Sequence, residues 1–249
     1  LAAEEVGRDV GGGIQRGRVA PGRTAFVFSG IGSVWRGMGA HELARHPAFV
    51  DVVRRCDEVT RRHMAVSVAR ELVLGPPEER IRDPLLAGLF AVVTGMALDA
   101  VWRAEGVEPD AVVGHSIGEF AAAAASGAYT VEEATLLLCH FLRVCRGLVE
   151  DDGAMAAVAL NASTARGVLI GKEDLLGVCV DSSPEQVVIG GDRSMLVELT
   201  ASLVNDGVEI RSVPAAVAPH SPLARRQGPR LIAALPRITA RPPRVPWIS

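Results

Sequence analysis

The chain has 249 residues, enough for one large domain or for a domain with a smaller one inserted. Apolar residues make up 49%, which supports a sizeable core, and a formal net charge of −3 removes any electrostatic case for nucleic acid or an anionic membrane surface. The cysteines Cys56, Cys139, Cys145 and Cys179 stand in apolar or helical surroundings without C-x-x-C spacing, so they read as reduced core thiols of a cytoplasmic protein, not disulfides or metal ligands. No apolar run is expected to reach a membrane span, and no signal peptide opens the chain. The first residue is Leu1, not Met, which reads as processing or as a piece of something longer.

Residues 1–22, with Gly11-Gly12-Gly13 and scattered charge, read as a linker. Residues 24–28 form a short buried strand, followed by the small-residue loop Ser29-Gly30-Ile31-Gly32-Ser33. That loop is not G-x-G-x-x-G and no P-loop lysine follows, so its use is a backbone N–H aimed at an oxyanion, not a nucleotide cradle. Residues 41–74 read as helical, with an apolar face through Phe49, Val52, Val53 and Val59. His41, His46 and His63 fall there without metal-ligand spacing and read as surface or capping residues. Gly75-Pro76-Pro77 breaks the chain, and residues 84–105 form a long apolar helix. Gly88 and Gly95 within it weaken a helix and therefore imply close packing.

The chain is organised around Gly114-His115-Ser116-Ile117-Gly118. An apolar strand precedes it and the Ala-rich run Ala121 to Ala125 follows, which is the strand–turn–helix setting that a G-x-S-x-G nucleophile elbow needs. Ser116 would sit at a strained turn, with its oxygen at a helix N-terminus where negative charge is favoured. Thr130-Val131-Glu132-Glu133 has capping-box spacing and opens a helix over residues 131–149. From residue 154 the period changes: strand 154–160, helix 163–170, strand 176–180, turn 181–184, strand 186–191, helix 193–206, strand 208–213. This β-α-β-β-α-β order is the ferredoxin-like split unit. The expected division is therefore a linker at 1–22, an α/β core from 23–153 and 214–249, and a ferredoxin-like subdomain at 154–213. After it come Val217-Ala218-Pro219-His220-Ser221-Pro222, a helix through residues 231–235, and a Pro-rich stretch leading into a strand at Trp247.

These motifs, in this order, resemble the acyltransferase domains of modular polyketide synthases and the related malonyl-CoA:carrier-protein transacylases. Family members carry an F-x-G-Q-G-S-Q-W-x-G-M-G loop, matched by residues 28–39. They carry a G-H-S-x-G elbow, matched by residues 114–118, a G-A-M strand start, matched by Gly153-Ala154-Met155, and a histidine in an S-H-S-P-type segment, matched by Pro219-His220-Ser221-Pro222. The resemblance runs from about residue 20 to the end. It implies an α/β-hydrolase-like core with a parallel sheet and an inserted ferredoxin-like α+β subdomain. It also implies ping-pong transfer from acyl-CoA to the phosphopantetheine of an acyl carrier protein, through an acyl-Ser116 intermediate. In that reading His220 is the base, the N–H groups of Ile31 and Ile117 form the oxyanion hole, and Gly88, His115, Phe141 and Val217 contact substrate. No Asp, metal or tightly bound cofactor is required. The implied partners are a carrier protein and other synthase domains such as a ketosynthase in the same polypeptide, with no nucleic acid or membrane.

The chain departs from the family at informative places. Ile31 replaces the loop glutamine, whose backbone N–H is the part the family uses. Gly88 stands where a glutamine usually opens the long helix. Phe141 stands 25 residues after Ser116, where the family arginine grips the free carboxylate of malonyl or methylmalonyl units. A phenyl ring cannot make a bidentate guanidinium–carboxylate pair, and burying a carboxylate alone is costly. The expected substrate is thus a neutral, starter-type acyl unit. The segment Val217-Ala218-Pro219-His220 matches neither usual extender pattern. Other readings stay open: an extender-unit acyltransferase using Arg143 or Arg146; a serine esterase or thioesterase using Asp181 or Asp192; an inactive scaffold domain in which Phe141 only fills core. Family members continue past the position of Ser249 with a further strand and helices that include a residue bracing the histidine, so the C-terminal part reads as incomplete.

Overall fold

The computed structural model describes residues 22–75, 78–146, 152–213 and 218–249. In chain order the strands and helices are β1 (Ala25–Phe28), α1 (Ala40–Arg45), α2 (Pro47–Met64), α3 (Val68–Leu74), α4 (Glu78–Arg82), α5 (Pro84–Ala104), β2 (Ala111–Gly114), α6 (Glu119–Ala125), α7 (Val131–Arg146), β3 (Gly153–Val158), α8 (Ala162–Val168), β4 (Leu176–Ser183), β5 (Gln186–Asp192), α9 (Arg193–Asn205), β6 (Ile210–Val213), α10 (Pro222–Arg226), α11 (Gly228–Ala234) and β7 (Trp247–Ile248). The expected linker, apart from Gly22, and the segment 147–149 at the end of the expected 131–149 helix lie outside the described residues.

Two sheets organise these elements. The first is parallel, in the order β1-β2-β7, with Phe28 opposite Gly114 and Val112 opposite Trp247. The second is antiparallel, in the order β4-β5-β3-β6. In it the crossovers through α8 and α9 interleave the strands as the split unit requires. The core beside the parallel sheet is built on α5, whose Leu89, Phe90, Val92 and Val93 are fully buried among residues of α2, α6 and α7. A separate cluster of Val158, Leu176, Ile189, Leu196 and Leu199 joins α8 and α9 to the antiparallel sheet.

Four local expectations need correction. The helical stretch 41–74 is three helices. Pro47 takes the first position of α2, and the restriction a proline imposes on its predecessor holds His46 extended at φ −113 and ψ 106. Ala65 then ends α2 in the left-handed region at φ 55, and the Ser67 side chain caps α3 by accepting from Arg70 N. β1 is not buried throughout: Val27 is 67% exposed, because only one face of that strand meets the core. The strand expected to end at residue 180 continues to Ser183, which pairs with Gln186 across a two-residue turn after register shifts at Val178/Val180 and Asp181/Ser183. Finally, Leu86–Ala104 is long and apolar enough to cross a membrane, with mean hydropathy 1.4. Its window is 61% buried within the fold, and Phe90 and Val93 are core residues, so it serves here as the central helix.

The paired glycines expected to mark close packing do so. A Cβ at Gly95 would lie 3.2 Å from Phe28 Cδ1, and one at Gly88 would lie 2.5 Å from Ile117 Cδ1. The capping box at Thr130 also forms, with Thr130 N donating to Glu133 at 2.7 Å and Glu133 N donating to Thr130 Oγ1 at 3.2 Å.

Candidate active site

β1 and β2 run parallel and end together, so the loops that leave them emerge side by side at one edge of the sheet. His115 N donates to Phe28 O at 2.9 Å and locks the two exits together. The chain then makes a 3-10 turn over Ser116–Gly118 and enters α6 directly. The turn is tight enough to demand both flanking glycines. A Cβ at Gly114 would come within 2.5 Å of the Glu119 backbone, and one at Gly118 would overlap the Phe28 carbonyl oxygen. Ser116 itself is held at φ 54, a left-handed conformation that costs a non-glycine residue energy and turns its side chain out of the strand line.

His220 reaches this serine from 104 residues away, with Nε2 2.9 Å from Ser116 Oγ. It too is at positive φ, 64, in the turn before α10. That turn packs against the antiparallel sheet, at β3 and β4. Ser221 is buried and caps α10 by accepting from Ala224 N, Ala218 sits 2.9 Å through its N from where a Gly153 Cβ would be, and Pro222 Cδ lies 3.0 Å from the corresponding point at Gly177. The residue reaches solvent on one side, while the protein around its ring lowers its pKa by desolvation, and the charge of neighbouring His115 lowers it further. A neutral imidazole with its proton on Nδ1 can accept the hydroxyl proton of Ser116 through Nε2. Among the described residues no carboxylate bonds to His220. Asp192 is engaged as the cap of α9, accepting from Met195 N at 3.0 Å, and Asp181 is exposed on β4.

Ile31 opens a second 3-10 turn, Ile31–Ser33, in the loop beside the elbow. Among the described residues no backbone carbonyl accepts from the N–H of Ile31 or of Ile117. The side chains of both converge on α5. The space over Gly88 is occupied by Ile117 Cδ1, with Ile31 Cγ1 and Leu142 Cδ2 each 3.7 Å from a Cβ placed there. Ile117 is 5% exposed. Phe141, on α7, packs its ring against Phe120 of α6 with centroids 5.4 Å apart and planes at 52°. Phe120 lies in the first turn of α6, four residues beyond Ser116. Arg143 and Arg146 lie on the exposed side of α7, and Arg146 approaches Asp83 at 3.8 Å. His115 lies against the first loop, its Nδ1 2.9 Å from a Cβ placed at Gly30. Val217 lies outside the described residues.

Burial disfavours the thiolate form of all four cysteines. Burial pushes Cys56 and Cys139 up to about 12 and Cys145 and Cys179 up to about 11, and all four are unpaired. Among the described residues no group of three or more His, Cys, Asp or Glu side chains is placed to hold a metal. One contact at the site was not legible in the motifs: Trp247 Nε1 donates to Glu119 Oε2 at 2.8 Å, pinning β7 to the first turn of the elbow helix. The only sequence signal for it is an acidic residue directly after the elbow.

The family model of the acyl transferase domain matches residues 25–249. A polyketide synthase of Streptomyces halstedii, GfsE, is 38% identical over 235 residues, which is 94% of this chain and 6% of that protein. Among solved structures, the malonyl CoA-acyl carrier protein transacylase of Coxiella burnetii superposes with a TM-score of 0.83 at 26% identity, covering 93% of this chain and 74% of the other. A loading acyltransferase from the avermectin modular polyketide synthase superposes with a TM-score of 0.76 at 32% identity, covering 91% and 72%. The chain thus spans a small fraction of the length of its curated relatives. The parallel sheet around the elbow and the antiparallel sheet beside it are the α/β core and ferredoxin-like subdomain of these domains, and the chain belongs to the acyl transferase domain family.

Proposed function

We propose that this chain loads a neutral, non-carboxylated acyl unit from acyl-CoA onto the phosphopantetheine thiol of an acyl carrier protein, as a starter-loading step of polyketide synthesis. His220 takes the proton from Ser116 Oγ as that oxygen attacks the thioester carbonyl. The C–S bond breaks, and the CoA thiolate leaves with the proton returned by His220. The carrier thiol then attacks the acyl-Ser116 ester, with His220 again taking and returning the proton. The N–H groups of Ile31 and Ile117 receive the oxyanion of each tetrahedral intermediate. The chemistry needs no metal or bound cofactor, and the setting is a cytoplasmic multidomain synthase that includes a ketosynthase.

The observation that carries the substrate class is the ring of Phe141 packed against Phe120 in the first turn of α6. With Ile31 and Ile117, which converge over Gly88, it supplies apolar surface, and position 141 carries no cation to pair with a second carboxylate. An extender-unit reading would need Arg143 or Arg146, and these stand on the exposed side of α7.

The test is intact mass of the protein after incubation with acetyl-, propionyl-, longer acyl- and malonyl-CoA, with Ser116→Ala as control. One neutral acyl adduct, absent in the variant, is the expected result. A dominant malonyl adduct would overturn the substrate class while keeping the reaction, and hydrolysis without transfer to a carrier thiol would make the protein an esterase.

A further inference from the structure

The C-terminal ends of α2 and α7 meet over a cavity of about 330 Å³. Its walls are Arg62, His63 and Met64 from α2 and Leu142, Arg143 and Arg146 from α7, and among the described residues no acidic side chain lines it. Asp83 lies 3.8 Å from Arg146 and offsets one of the three guanidinium charges. Among the described residues neither Arg62 nor Arg143 has a carboxylate within ion-pair distance. His63 and His140 bring their rings to within 5.8 Å of each other in the same region.

Cations in the last turn of a helix are commonplace, because they offset the partial negative charge of its C-terminus. That accounts for a cation on each helix and does not account for three guanidinium groups lining one cavity. Two helix ends supply about one negative charge between them. Even with Asp83 added, three arginines leave the cavity positive, and like charges gathered around a shared space repel unless an anion lies between them.

We infer that this cavity is a binding site for a phosphate group, separate from the Ser116–His220 pair. Phosphate suits it better than a carboxylate: it carries more charge and more acceptor oxygens, and several planar guanidinium forks can engage it at once. The volume leaves room for the organic part of a phosphate ester. Leu142, which lines the cavity, is buried and lies 3.7 Å through Cδ2 from a Cβ placed at Gly88, so its side chain stands between the cavity and the point where Ile117 and Ile31 converge. The phosphate could be free in solution or belong to the nucleotide end of coenzyme A. The site itself does not depend on the acyl-transfer reading; only its assignment to coenzyme A does.

The test is titration calorimetry of the 249-residue chain with pyrophosphate, then with coenzyme A and 3′-dephospho-coenzyme A, at low and moderate salt. Arg62→Gln and Arg143→Gln change exposed side chains, so retained melting temperatures verify that both fold. Arg45→Gln, an exposed arginine on α1, is the control. Pyrophosphate is expected to saturate a single site that weakens as salt rises. The affinity should fall about tenfold or more in either cavity variant and stay unchanged in Arg45→Gln. A parallel loss of coenzyme A affinity assigns the site to the nucleotide phosphates. A loss confined to pyrophosphate assigns it to a free anion. No binding by either probe, or binding weakened equally by Arg45→Gln, overturns the inference.

Discussion

The close approach of Ile117 to Gly88 ties the central helix to the N–H proposed to receive the oxyanion, and Gly88→Ala tests the coupling directly. The added methyl would meet Ile117 Cδ1 at 2.5 Å, well inside van der Waals contact. Replacing a helix-interior glycine by alanine gains about 1 kcal/mol in propensity. Overpacking costs about 1–3 kcal/mol. The clash is with the end of a flexible side chain, so the low end applies and stability should change by no more than roughly 1–2 kcal/mol, about 2–8 °C in melting temperature for a chain of this size. The functional effect should be out of proportion to that. Ile117 must shift, and with it the N–H proposed to receive the oxyanion. Complete loss of such a donor costs about 10²–10³ in rate, so a partial displacement should slow Ser116 acylation by about tenfold. The assay is acylation rate by intact mass with a neutral acyl-CoA, beside thermal unfolding. Gly95→Ala is the matched control: on the same helix, its methyl would meet Phe28 Cδ1 at 3.2 Å and Ala121 Cβ at 3.5 Å, away from Ile117. Wild-type acylation by Gly88→Ala, or an equal slowing in Gly95→Ala, would refute the coupling.

Three other variants bear on the site and the scaffold. Phe141→Arg should raise the malonyl-to-acetyl adduct ratio about tenfold or more, since a charge-assisted bidentate pair is worth about 1.5–3 kcal/mol. An unchanged ratio in competition by intact mass would remove Phe141 from the acyl pocket. In the proposed mechanism His220 must be neutral to act as base, and burial and then His115 hold its pKa below the ordinary value of about 6.5, so the acid limb of kcat/KM should lie below that pH. His115→Asn removes the second cause, and the limb should move to higher pH; a limb that stays put in the pH–rate profile would refute the coupling between the two histidines. Thr130→Ala deletes one half of the capping box and should cost about 1 kcal/mol, seen as roughly 2–4 °C in thermal unfolding, with acylation retained.

What was legible in the sequence is what short-range stereochemistry dictates. Gly114 is required by the backbone of Glu119 one turn on, which is local, whereas Gly118 is required by the Phe28 carbonyl of the distant β1 exit and was legible only through the G-x-S-x-G pattern. The Thr130–Glu133 box closes within one helical turn. The β-α-β-β-α-β alternation follows from local period, and the glycines of α5 announced close packing before its partners were known. The break at Ala65 carried no proline or glycine signal: the alanine takes positive φ where Thr60 Oγ1 donates to Val66 O and Ser67 Oγ donates to Asp57 Oδ1, tying α2 to the start of α3. The exposure of Val27 was hidden for a related reason, since an apolar strand reads the same whether one face or both are covered.

Residue types and their order along the chain were enough to nominate Ser116 and His220, because the motifs are short and chemically demanding. The approach of those two side chains to 2.9 Å across 104 positions depends on how the 218–222 turn seats against β3 and β4 of the antiparallel sheet, and no local pattern encodes it. The same holds for the faces of α7. Helical periodicity separates Phe141 from Arg143 and Arg146, but only packing turned the ring toward Phe120 and left the arginines around the cavity beside α2. Local geometry is written in neighbouring residues, whereas side-chain convergence is settled by the core that buries one face of each element and leaves the other free.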